Sequence, residues 1–210
     1  QDVSCYNFND GSILVTAIGG TGTLTYNLSP SSQTNTDGIF TNLAPDTYSV
    51  MVIDESSCQV NTDIIPILNP AAIEFSTLTT SAVTCTNFNN GTILAFAQGG
   101  TGSITYNLQP VNVSNQSGSF INISPGTYQV IASDINGCQL ISPDQIITEP
   151  TPISVLTTQD SVSCNGLSNG CAYIQAAGGT PPYSYQWQTP SIIESDTLCG
   201  LSAGNYQIIV

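Results

Sequence analysis

Residues 91–108 read GTILAFAQGGTGSITYNL. Two strand-like runs, Thr92–Gln98 and Ser103–Leu108, stand on either side of Gly99-Gly100-Thr101-Gly102. The first is almost continuously apolar and the second is rich in β-branched and aromatic residues; neither has a helical period. The glycines between them supply backbone angles that β-branched residues cannot adopt, so the chain turns there. Outward from this core, Asn89-Asn90-Gly91 is a turn signal and Ile73–Leu78 alternates with period two. On the other side come Ser119–Ile123, then Gly126–Asp134 with Tyr128, Val130 and Ala132 on one face, then a run from Gln139 towards Ile147. Six or seven short strands divided by turns predict an all-β fold, an immunoglobulin-like antiparallel β-sandwich.

The pattern occurs three times. Cys5, Cys85 and Cys164 precede Gly19-Gly20, Gly99-Gly100 and Gly178-Gly179, followed by Tyr26, Tyr106 and Tyr185 and then by Tyr48, Tyr128 and Tyr206. A fixed period near 80 residues means a tandem array of three such modules. The expected boundaries are 1–69, lacking its first strand; 70–150, complete; and 151–210, lacking its last hairpin. The junctions Pro66-Ile67-Leu68-Asn69-Pro70 and Glu149-Pro150-Thr151-Pro152 contain prolines, so they predict a semi-rigid rod. The chain is expected to be a window on a longer array, with its targeting segments elsewhere.

The 210 residues contain 14 Asp and Glu and no Lys, Arg or His. No side-chain ion pair can form, so stability must come from burial, backbone hydrogen bonds and covalent staples. A formal charge of −14 argues against nucleic acid or an anionic membrane as partner. Nucleophilic catalysis lacks a His or Lys base, and thiolate chemistry lacks a cation to stabilise the anion. The chain reads as a non-enzyme without a cofactor.

Seven cysteines are present. Cys5 to Cys58 and Cys85 to Cys138 each span 53 positions, which predicts the pairs Cys5–Cys58 and Cys85–Cys138. The same offset from Cys164 runs past Val210, placing its partner outside the chain, and leaves Cys171 to pair with Cys199. Repeated cysteine pairs in small modules indicate an oxidising, extracellular setting. A bridge closing such a loop contributes roughly 4 kcal/mol by the chain-entropy argument.

Two further patterns read as scaffold. Tyr48, Tyr128 and Tyr206 follow Pro45-Asp46-Thr47, Pro125-Gly126-Thr127 and Ala203-Gly204-Asn205, a corner at which a tyrosine hydroxyl turns back to the backbone. Asp46, standing where the other copies have glycine, is expected to tolerate the left-handed region there. Asp54-Glu55-Ser56-Ser57-Cys58 and Asp134-Ile135-Asn136-Gly137-Cys138 predict hairpin turns whose Asp accepts backbone amides.

Val162-Ser163-Cys164-Asn165-Gly166, Asn169-Gly170, Gly178-Gly179-Thr180-Pro181-Pro182-Tyr183-Ser184-Tyr185-Gln186-Trp187 and Leu201-Ser202-Ala203-Gly204-Asn205-Tyr206, with the Asp134–Cys138 ending, resemble the SprB repeat family of very large cell-surface adhesins of Bacteroidetes. The first two copies depart from that pattern, with Thr-Gly where Pro-Pro stands and Asn27 or Asn107 near the tryptophan position. The resemblance implies type IX secretion, display on the outer cell surface and an adhesin role in gliding motility. The partners implied are neighbouring repeats, an extracellular surface or polysaccharide, and motility or secretion machinery reached through other parts of the protein. Asp160-Ser161-Val162 and Asp196-Thr197-Leu198 also resemble that phylum's O-glycosylation signal, making Ser161 and Thr197 candidate sites.

Two function classes follow. One is a structural stalk that projects a distal adhesive tip. The other is a glycan-binding module using exposed Tyr183, Tyr185 and Trp187. Calcium is a third expectation, with Asp54, Glu55 and Asp134 as candidate ligands, although diffuse counterion attraction is the simpler reading of scattered acids.

Overall fold

The computed structural model describes residues 1–189 and 193–210. No helix occurs among them; every named element is a strand. The first repeat contains β1 (Gly11–Leu14), β2 (Thr25–Ser29), β3 (Gln33–Asn35), β4 (Ile39–Leu43), β5 (Asp46–Ile53), β6 (Gln59–Asn61) and β7 (Ile65–Ile67). The second contains β8 (Glu74–Ser81), β9 (Gly91–Gln98), β10 (Thr105–Gln109), β11 (Val113–Asn115), β12 (Ser119–Ile123), β13 (Gly126–Ser133), β14 (Gln139–Ile141) and β15 (Gln145–Ile147). The third contains β16 (Ser154–Asp160), β17 (Gly170–Ala177), β18 (Gln186–Trp187), β19 (Thr197–Leu201) and β20 (Ile208–Ile209).

All registered pairings are antiparallel. In the first repeat β1 pairs with β4, opposite a sheet ordered β3-β2-β5-β6 with β7 also on β5. Period-two alternation decides what lies between them. β5 turns Tyr48, Val50 and Val52 inward, and β2 adds Tyr26 and Leu28. From the facing sheet come Ile13, Phe40 and Leu43, and the same core takes in Val3 and Ile67. Burying a side chain of this size stabilises by about 1.5–3 kcal/mol, so two sheets sharing such a core make a sandwich. The second repeat repeats these pairings at an offset of 80: Tyr26 faces Val52 as Tyr106 faces Ala132, and Leu28 faces Val50 as Leu108 faces Val130. Its other sheet is ordered β12-β9-β8. In the third repeat β16-β17-β19 forms one sheet and β18-β20 another, around Ile174, Trp187 and Leu198. The all-β, immunoglobulin-like sandwich reading therefore stands.

By internal packing the chain divides into two compact units. One comprises 1–79, 94–119 and 128–145; the other comprises 80–93, 120–127 and 146–210.

Two local expectations are corrected. The run from Gln139 to Ile147 is two strands, as is its counterpart Gln59–Ile67 in the first repeat, where Asp63 stands in place of Pro143. The buried Ser142 bridges the break, its Oγ accepting from Val130 N at 2.9 Å and donating to Pro143 O at 2.8 Å. At the tyrosine corner, Asp46 begins the extended β5 and is not left-handed. The left-handed residues are Asn42 (φ 57°), Asn122 (φ 59°) and Gly200 (φ 78°), one per repeat. Asn42 and Gly200 sit where the pairing of β4 with β1, and of β19 with β17, slips by one residue, so the special backbone angle belongs to a β-bulge.

Candidate functional site

Each sandwich has two ends, and the junction between repeats is built from them. β5 begins at Asp46, opposite Ile67 in β7, and finishes at Ile53, opposite Gln59 in β6. The Asp46 end is therefore the trailing end, where the chain leaves the repeat, and the Ile53 end is the leading one. The loop that carries Cys5 belongs to the trailing end. Asp2 Oδ1 accepts from Leu68 N at 2.7 Å, Asn7 N donates to Asn69 Oδ1 at 2.8 Å, and Asn69 Nδ2 donates to Asn7 Oδ1 at 3.0 Å. In the second repeat, Asn87 N donates to Glu149 Oε2 at 2.9 Å and Thr86 Oγ1 to Pro150 O at 2.9 Å. Sequence reading missed this clasp. The signal was present, since Asn7 to Asn87 and Asn69 to Glu149 are both offsets of 80.

The opening loops are themselves preformed. Asp10, Asn90 and Asn169 each accept the backbone N–H of the residue immediately before the opening cysteine, from Ser4 (2.9 Å), Thr84 (3.0 Å) and Ser163 (3.1 Å). Hydrogen bonding from Ser4, through its side chain first and then its backbone, holds the Asp10 carboxyl below its usual range.

At the leading end of the second repeat, Gly100 N donates to Ala71 O at 2.8 Å, and in the third Gly179 N donates to Thr151 O at 2.6 Å. The glycine before each is required by close approach. A Cβ on Gly99 would lie 1.9 Å from Ala72 O, and one on Gly178 would lie 2.1 Å from Pro152 O. The Gly-Gly pair is thus the seat of the incoming linker.

The acidic turns also lie at leading ends. Asp54 Oδ1 accepts from Ser56 N (2.9 Å) and Cys58 N (2.8 Å), and its Oδ2 accepts from Thr21 N (2.9 Å). Asp134 repeats the set with Asn136 N (3.0 Å), Cys138 N (2.9 Å) and Thr101 N (2.8 Å). Glu55 Oε1 accepts from Thr23 N at 3.0 Å. The amides of Thr21 and Cys58 lower the Asp54 carboxyl against the opposing effect of burial. These oxygens tie the Gly-Gly loop to the hairpin turn, and among the described residues no three metal-ligating side chains converge.

The disulfides correct the pairing expected from spacing. Cys5 bonds Cys138, 133 residues away, with a Cα–Cα distance of 5.6 Å. Cys58, Cys85 and Cys164 are free and exposed, so neither Cys5–Cys58 nor Cys85–Cys138 forms. The reason is the length of the sandwich. Cys5 is at the trailing end and Cys58, just past Ile53, is at the leading end. The eight residues of β5 between those ends span about 25 Å, whereas bridged Cα atoms sit within about 7 Å. Cys138 occupies the leading end of the following repeat, beside the linker, where Asn136 Nδ2 also donates to Ser4 O at 3.0 Å. Cys171 and Cys199 do pair, as a directly opposed position of β17 and β19 with Cα atoms 4.1 Å apart.

The three third-repeat aromatics do not make an exposed platform. Trp187 is only 2% exposed, packs in the core and donates from Nε1 to Ser195 O at 2.9 Å. Tyr185 is half-buried against that core, and the half-buried Tyr183 donates its hydroxyl to Gly178 O. The expectation of Trp187 as a sugar-stacking residue is corrected: a large indole in a small sandwich is more stable as core than in water. The tyrosine corners are present, with Tyr48 Oη donating to Ala44 O at 2.9 Å and Tyr206 Oη to Ser202 O at 3.1 Å. Burial, then the Asp46 charge, pushes the Tyr48 phenol up. Of the candidate glycosylation sites, Ser161 is exposed, while the half-buried Thr197 gives its hydroxyl to Asp196 Oδ1 at 3.1 Å.

A family model described as the SprB repeat matches residues 1–33, 77–113 and 156–191, just over half the chain, once per copy of the motif. The chain belongs to the SprB repeat family. No curated protein matches it. Among solved structures, this SprB-repeat chain is similar to a Dscam structure determined to explain isoform specificity (11% identity, TM-score 0.30, covering 89% of this chain and 61% of that one). It is also similar to Drosophila OTK extracellular domains 3–5 (11% identity, TM-score 0.31, covering 90% and 76%). The SprB-repeat chain thus spans 61% of the length of the first of these.

Proposed function

We propose that this chain is a stalk segment of a large cell-surface adhesin, a row of three SprB-repeat sandwiches at 1–69, 70–150 and 151–210 that spaces an adhesive tip from the cell and serves attachment or gliding. The observation that carries the reading is the junction. The first repeat's opening loop is bonded covalently to the second repeat's leading-end turn through Cys5 and Cys138, and the linker between them is hydrogen-bonded on both sides. A ligand-binding module has no need of such a coupling; a load-bearing spacer does, because tension on a proline linker alone would separate its neighbours. The disulfides support display outside the cell, and membership of the SprB repeat family carries the expectation of type IX secretion. The partners of this segment are neighbouring repeats, and the contact with a surface or polysaccharide belongs to other parts of the protein. Exposed Ser161 is the better glycan acceptor of the two candidates, and calcium acts on the scattered acidic side chains as a diffuse counterion.

Small-angle scattering of the full chain tests the stalk. A compact 210-residue protein has a radius of gyration of about 17 Å. A rod gives a value well above this under oxidising conditions, and a radius at the compact value overturns the reading.

A further inference from the structure

The three free thiols occupy the two kinds of position that Cys5 and Cys138 occupy. Cys85 and Cys164 are the repeat-equivalents of Cys5, at offsets of 80 and 79, and Cys58 is the equivalent of Cys138 at 80. All three are exposed. Cys85 opens a loop clasped to residues 149 and 150, as the Cys5 loop is clasped to 68 and 69. Cys58 has its N–H on the Asp54 carboxylate as Cys138 has on Asp134. The local structures that present the bonded pair therefore also present the unbonded ones, and what differs is whether an adjoining repeat supplies the matching cysteine.

We infer that SprB repeats of this type are joined by a head-to-tail disulfide ladder, in which the opening cysteine of each repeat bonds the closing cysteine of the next. Cys5–Cys138 is one rung. Cys85 and Cys164 are half-rungs awaiting the closing cysteines of the following repeats, and Cys58 awaits the opening cysteine of a preceding one. The partner is a neighbouring repeat of the same chain; the inference rests on the array reading above. Each rung forms by thiol–disulfide exchange with an external disulfide oxidant. The two cysteine thiols lose two protons and two electrons as the S–S bond forms, and the donor disulfide is reduced to two thiols. Along such a ladder no junction is held by the polypeptide alone, since each linker is bypassed by a second covalent path.

The test extends the full chain. Tyr206–Val210 aligns with Tyr128–Ala132, so residues 133–150 are grafted after Val210 to supply a third closing cysteine. The protein is oxidised in a glutathione redox buffer and its free thiols are alkylated without reduction. It is then cleaved with chymotrypsin and endoproteinase Glu-C, because the chain offers trypsin no site. The unextended chain should show three alkylated cysteines and the Cys5–Cys138 peptide. The extended chain should show two, with Cys85 now linked to the added cysteine; Cys85→Ser in that background should return the added cysteine to the alkylated pool. A link from Cys164 to the added cysteine, or four alkylated cysteines while the Cys5–Cys138 and Cys171–Cys199 peptides persist, overturns the ladder. Scattering on the same sample separates the two readings, because a rod without rungs keeps its radius of gyration.

Discussion

Tyr48→Phe isolates one atom of the corner. The ring is 5% exposed and stays in the core; only the hydroxyl that holds Ala44 O at 2.9 Å is lost. Removing one neutral hydrogen bond costs about 1 kcal/mol net, with the orphaned carbonyl close enough to the surface to recover water. For a chain of this size that lowers Tm by about 2–4 °C. The matching change Tyr206→Phe acts on a residue 37% exposed whose bond is 3.1 Å, and it should cost under about 0.5 kcal/mol. Scanning calorimetry and urea unfolding of the two variants against the parent give the comparison. The pH dependence adds a second signature. The phenol's native pKa lies above the ordinary 10.0 because burial disfavours the anion. Between those values the unfolded chain has released its proton and the native one has not, so stability falls as pH rises. The tyrosine's advantage is complete below about pH 10 and is lost as pH climbs through the raised native value; phenylalanine has nothing to ionise, so the two curves converge there. Equal Tm values at pH 7, or a constant gap through pH 11, would refute the corner as a stabilising device.

Other outcomes follow from the same geometry. Asp54→Asn should flatten the acid limb of the urea midpoint between pH 2 and 5. The wild-type carboxyl titrates below 3.8 in the fold, so its contribution is present above that value and is lost as pH falls through the native one. Gly38→Ala should destabilise by more than about 2 kcal/mol by chemical denaturation, because φ is +68° and the new Cβ would stand 2.2 Å from Val15 O; Gly19→Ala, at φ +88° with nothing within 4 Å, bears only the backbone strain of about 1 kcal/mol. Trp187→Ala should cost about 3–5 kcal/mol in the third repeat by urea unfolding followed through near-UV absorption of its neighbouring tyrosines. Selective loss of the Cys171–Cys199 bridge, by Cys171→Ser with Cys199→Ser, should cost at most about 3.6 kcal/mol for its separation of 28 residues, measured by the same unfolding.

Strand positions were legible because period-two patterns and glycine punctuation are local. Ser119–Ile123 is β12, and Tyr128, Val130 and Ala132 do share the buried face of β13. The Asp134 turn was readable for the same reason, since its carboxylate reaches amides only two and four residues ahead. The third partner of the Asp54 and Asp134 carboxylates, Thr21 or Thr101, was not legible, because it lies 33 residues back and is brought near only by the Gly-Gly loop. Trp187 was misjudged because a strand's two faces look alike in sequence until the facing sheet is known.

By itself the sequence determined that five of the seven cysteines recur in register with the repeats, that ion pairs cannot hold the fold, and that glycine pairs mark the same loop in each copy. The tertiary structure decided which cysteine meets which. A spacing of 53 residues is a contour length, and it is blind to the fact that β5 carries the chain from one end of the sandwich to the other between Cys5 and Cys58. Proximity in space is set by which ends abut, so the bond closes across the junction, over 133 residues, and not within the repeat.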